Sequence, residues 1–73
     1  MDREILKQHL RLAEKHIAEG TEHVERQRQI VDELVRNGKD PRRSMDLLTL
    51  FEDTLAGHIE ERDRLQDELA KGK

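Results

Sequence analysis

Four histidines are the residues of this chain best suited to chemistry. His9, His16 and His23 recur every seven residues, so on a helix they form one stripe. His58 stands alone in the second half. Imidazoles from facing helices, joined by carboxylates at helical spacing, ligate zinc and neighbouring transition ions. His16, Glu19 and His23 fall at i, i+3 and i+7, and His58 with Glu61 at i and i+3. The candidate metal ligands are therefore His16, His23 and His58, with Glu19 and Glu61 as supporting carboxylates. Against this stand two features: the Glu-x-x-His pairs of di-iron carboxylate bundles are absent from the sequence, and Arg62 lies close enough to His58 to repel a cation.

The same residues admit two other readings. Histidine titrates near pH 6.5, so protonating all four carries the formal charge from −3 to +1 and makes a histidine-lined bundle pH-responsive. Alternatively His58, Arg62 and Gln27 are polar layers in an apolar seam, fixing helix register and orientation at a cost in stability.

Other chemistry has less to stand on. Ser44, Thr21, Thr49 and Thr54 are the only hydroxyl nucleophiles, and none sits in a motif with a base and an orienting acid. The four glycines are dispersed, so no phosphate-cradling loop exists, and the absence of cysteine removes thiolate chemistry and disulfides together. The expectation is a protein that is not an enzyme and has no cofactor. Fourteen basic and seventeen acidic side chains are interleaved along the chain. Arg26, Arg28, Arg42 and Arg43 have Glu22, Glu25, Asp40 and Asp46 as neighbours, which describes a solvated helix surface rather than a nucleic-acid or lipid-binding face. No apolar run approaches a membrane span and the first residues do not resemble a signal peptide, so a cytoplasmic protein is expected.

Positioning these side chains falls to Leu, Ile, Val and Ala, because Phe51 is the only aromatic among 73 residues. Leu6, Leu10, Ala13, Ile17, Gly20, Val24, Gln27, Val31 and Leu34 alternate spacings of four and three, a heptad seam. It stops at Asn37-Gly38, and Asp40-Pro41 offers an N-cap and first residue for a second helix, with Ser44 as a competing cap. The second seam runs Leu48, Phe51, Leu55, His58, Arg62, Leu65 and Leu69, widened by Leu47 and Ile59. Glu19-Gly20-Thr21 could end a helix, but the apolar phase continues through it, which predicts one unbroken helix. The expectation is an all-α antiparallel hairpin in a single domain: a helix over about 3–37, a turn over about 38–41 and a helix over about 42–70. A flat turn gives facing residues that sum to roughly 78, placing His58 opposite Gly20 and Arg62 opposite His16.

A second apolar edge, Ile5, Leu12 and Ile30, lies about 100° from the main seam of the first helix, with the histidine stripe between. One partner helix covers only one such face. Dimerisation of the hairpin into a four-helix bundle is the simplest closed assembly, with the seam residues and the second edge at its interfaces, and an unknown protein partner as the substitute for the second copy.

The stretch from His9 to His23, with Leu47-Leu48, Phe51, His58 and Arg62-Asp63-Arg64-Leu65 later, resembles short bacterial proteins of this length built as helical hairpins. The resemblance covers nearly the whole chain. It implies a stand-alone bacterial helical protein rather than a fragment, and it carries over no activity.

Overall fold

A computed structural model of the protein describes residues 2–71. Two helices, α1 (Arg3–Arg36) and α2 (Arg42–Lys71), lie antiparallel along one seam, and no strand occurs among the described residues. The hairpin is a rod of 57 × 14 × 13 Å. Its radius of gyration is 16.6 Å, where a compact chain of this length has about 11 Å.

The first helix begins at Asp2, whose carboxylate accepts the Glu4 N–H at 3.1 Å and so satisfies one donor of the opening turn. It runs without a break through Gly20. There Thr21 Oγ1 donates to the Ile17 carbonyl at 2.8 Å, spending its hydroxyl within the helix rather than capping a new one. Gly20 has a packing reason: a Cβ at this position would lie 3.2 Å from Leu55 Cδ1, so the missing side chain seats Leu55 in the seam.

The turn explains the register. Gly38 adopts φ 69°, the Lys39 N–H donates to Leu34 O at 2.8 Å and the Gly38 N–H to Val35 O at 3.1 Å, which is a Schellman termination. Asp40 accepts the Arg42 N–H at 3.1 Å and Pro41 O accepts the Met45 N–H at 2.8 Å, so Pro41 immediately precedes α2 and the Asp40 carboxylate satisfies the N–H of its first residue. Ser44 lies inside the helix, where its carbonyl receives Gln27 Nε2 at 2.9 Å. The chain thus folds back beside the last turn of α1 before α2 starts. Facing pairs sum to 74 or 75 instead of the value a flat turn gives: Gly20 meets Leu55, His16 meets His58 and His23 meets Phe51. The expected pairings of His58 with Gly20 and Arg62 with His16 are therefore displaced by about one helical turn.

Burial is shallow. Leu6, Ala13, Val24 and Leu65 are the buried apolar residues, with Gln27 the buried polar one. Leu6, Ala13 and Leu65 form a cluster joined by Leu10 and Leu69 near the open end, where Arg3 Nη1 also donates to Leu69 O at 3.1 Å. Gln27 plays the corresponding role near the turn. Its hydrogen bond across the seam pins the start of α2 to α1, and no buried side-chain nitrogen or oxygen among the described residues lacks a partner.

Two outcomes follow. Gly38→Ala forces a Cβ into left-handed backbone and should cost about 1 kcal/mol, read as a lower urea midpoint; an unchanged midpoint contradicts the turn geometry. The Asp40 carboxyl is held below the ordinary aspartate range, first by its hydrogen bonds to the Arg42 side chain and then by the Arg42 N–H. A depressed folded pKa contributes stability above the ordinary aspartate value and loses it as pH falls through the lowered one. Asp40→Ala should thus lower Tm at neutral pH, with the gap from the parent closing in acid. A gap of constant size from neutral to acid pH contradicts this.

Candidate functional site

A heptad reading of both helices divides the rod into two unlike faces. On one side Arg28 Nη2 and Glu52 Oε2 join across the seam at 3.1 Å. Seven residues beyond Arg28 lies Val35, and seven before Glu52 lies Met45, so this face carries exposed apolar groups only next to the turn. Exposed ion pairs of this kind contribute about 0–1 kcal/mol, so Arg28–Glu52 closes the seam to water more than it holds the helices together.

The opposite face carries the histidine stripe. His9, His16, His23 and Ile30 occupy one heptad column of α1, and Ile5 and Leu12 flank it; on α2 the matching column is Leu47, Thr54, Glu61 and Glu68, flanked by Leu50. Ile5, Leu12, Ile30, Leu47 and Leu50 are 42%, 51%, 40%, 40% and 58% exposed, with Ile5 and Leu12 toward the open end and Ile30, Leu47 and Leu50 toward the turn.

Two open grooves lie along this face. One, of about 180 Å³, is lined by His9, Leu12, Ala13, His16, His58, Glu61 and Leu65. The other, of about 290 Å³, is lined by His23, Arg26, Gln27, Leu47 and Phe51. The first holds an imidazole pair: the His16 and His58 ring centroids are 4.9 Å apart with planes inclined at 42°. The second holds a ring contact of another kind, His23 against Phe51 at 5.8 Å.

The ligand set read from the sequence is thus divided. His16 and His58 come together, whereas His23 is one groove away, on Phe51. Glu61 lines the first groove but is engaged by the Arg64 guanidinium, which also donates to Glu68 Oε1 at 2.6 Å. The hydrogen bond to Glu61 is the main reason that Arg64 holds its proton above the ordinary arginine range. Glu19 lies in the outer column with Leu12 and Arg26 and lines neither groove. Among the described residues no group of three or more His, Cys, Asp or Glu side chains is placed to hold a metal ion. Arg62 is half-buried at its seam position and pairs with its neighbour Asp63 at 3.0 Å.

The seam residues are occupied within the chain. Leu6, Ala13, Val24 and Leu65 are buried, and Leu10, Ile17, Gly20, Val31, Leu34, Leu48, Phe51, Leu55, Ile59 and Leu69 are half-buried. What remains open is the second edge, which extends onto α2 through Leu50, a residue outside both seams. Its signal in the sequence is the spacing of three from Leu47, which makes the two neighbours on the surface of α2.

Comparison with protein-family models, with curated proteins and with solved structures finds no match to this chain. Among the described residues no helix is long and apolar enough to cross a membrane.

Phe51→Ala should remove the wall of the larger groove and about 2 kcal/mol of stability, less than a fully buried phenylalanine loses. The His23 ring protons should shift with the loss of the aromatic neighbour while those of His16 stay in place. Equal shifts at both histidines contradict the two-groove arrangement.

Proposed function

We propose that the protein is a self-associating helical module: two hairpins pack by their histidine-bearing faces into a four-helix bundle that acts as a small interaction or scaffolding unit. The observation that carries this reading is the concentration of exposed leucine and isoleucine on one face, while on the other, crossed by Arg28–Glu52, the exposed large apolar side chains are Val35 and Met45 at the turn. Exposed apolar side chains collected on one face and flanked by charge mark an interface.

Area supports the same reading. A compact monomer of 8.6 kDa exposes roughly 4,700 Å², and this hairpin exposes 5658 Å². The excess, about 1,000 Å², is comparable to the roughly 800 Å² that each partner contributes to a standard interface. A two-fold pair is the smallest closed assembly in which both copies bury the same patch. The scarcity of aromatic side chains fits a symmetric leucine-rich contact better than a hot spot for a small ligand.

Sedimentation equilibrium of the parent should give a dimer. Leu50→Glu should weaken association at least tenfold, about 1.4 kcal/mol, with helicity retained. Val35→Glu, on the other face, should leave the dimer intact. A monomeric parent, or equal loss of association in both variants, overturns the proposal.

A further inference from the structure

The imidazole pair of the smaller groove points to a site that a single chain leaves half built. Two imidazoles on one tetrahedral zinc, each with a Zn–N distance of about 2.0–2.1 Å, hold their ring centroids about 5 Å apart. His16 and His58, contributed by different helices, stand at 4.9 Å. That separation is also an ordinary ring contact, so the pair needs no ion to persist. Two donors do not make a four-coordinate site, and among the described residues no third donor is placed with them: Glu61 is engaged by Arg64, His23 lies against Phe51, and His9, though it lines the same groove, is about two helical turns from His16.

The geometry points to a divalent transition ion, zinc as the representative, held between two copies by His16 and His58 of each. This inference rests on the face-to-face dimer proposed above and names what lies at its centre. The pair sits in the groove between the helices, on the uncovered face. A two-fold axis running along the grooves sets each level of one copy against the same level of the other, so the two pairs meet and supply four nitrogen donors. Leu12, Ala13 and Leu65 line the same groove and give the site apolar walls.

The donor chemistry selects the ion. Imidazole suits zinc, copper and nickel, whereas calcium and magnesium require several oxygens, and the one carboxylate lining this groove is engaged by a guanidinium. Neighbouring positive charge is compensated: Arg62 pairs with Asp63, and Arg64 with Glu61 and Glu68.

The test uses the full chain without any affinity tag, stripped with chelator and titrated with zinc at about pH 7.5, above the ordinary histidine range. Sedimentation and calorimetry should show a dimer strengthened at least tenfold, with one ion bound per two chains. Cobalt in place of zinc should give the intense visible bands of a tetrahedral site. His16→Ala and His58→Ala should each abolish the zinc effect, while His9→Ala and His23→Ala retain it; circular dichroism checks that each variant stays helical. A dimer indifferent to zinc and chelator overturns this inference and leaves the face-to-face dimer standing. A chain that is monomeric with and without zinc overturns both, and one ion per chain on a monomer overturns the shared site.

Discussion

Two helices in contact share a seam only one row of side chains deep, and the rest of this structure depends on that limit. Packing α1 on α2 buries Leu6, Ala13, Val24, Leu65 and the amide of Gln27, and it leaves the other large apolar side chains half-buried or exposed. A longer chain adds a third helix to solve this. Here five of the seven exposed large apolar side chains, Ile5, Leu12, Ile30, Leu47 and Leu50, lie on one face of the rod beside the histidines, while the other face has the Arg28–Glu52 pair with Val35 and Met45 exposed next to the turn. Heptad columns place these groups: residues seven apart share a face, so Ile5 and Leu12 lie on one side together, as do His9, His16, His23 and Ile30.

The seam is sensitive to a few local devices. Gly38, in left-handed backbone, with the bonds from Lys39 and Gly38 to the last carbonyls of α1, brings the chain back along its own last turn before Asp40 starts α2. That one-turn offset decides that His58 meets His16 and that Leu55 meets Gly20. Gln27 then holds the α2 start from across the seam. The two ring pairs of the exposed face, one made of imidazoles and one of His23 with Phe51, are consequences of turn geometry as much as of sequence spacing.

This also marks where the sequence was readable and where it was not. The two helices and the inward-facing positions follow from alternating spacings of four and three, since burial on a helix is periodic and the signal accumulates over many residues. The phase continuity of Ile17, Gly20 and Val24 was enough to read α1 as unbroken. Register is different in kind. It depends on how far a five-residue connection travels along the helix axis, and spacing within each helix carries no information about that. The grouping of His16, His23 and His58 into a single candidate site rested on the assumed register and separates once the true one is known. The opposition of a glycine to a bulky seam residue was the right kind of complementarity, with Leu55 rather than His58 as the occupant.

The central claim is that the histidine-bearing face of the rod is covered by a second copy. Small-angle X-ray scattering tests it directly, because association by faces and association by ends differ in shape. The account predicts twice the 8.6 kDa chain mass, a thickened cross-section and a maximum dimension still set by the 57 Å length of the hairpin. A scattering mass of one chain, or a doubled mass with a doubled length, would contradict it.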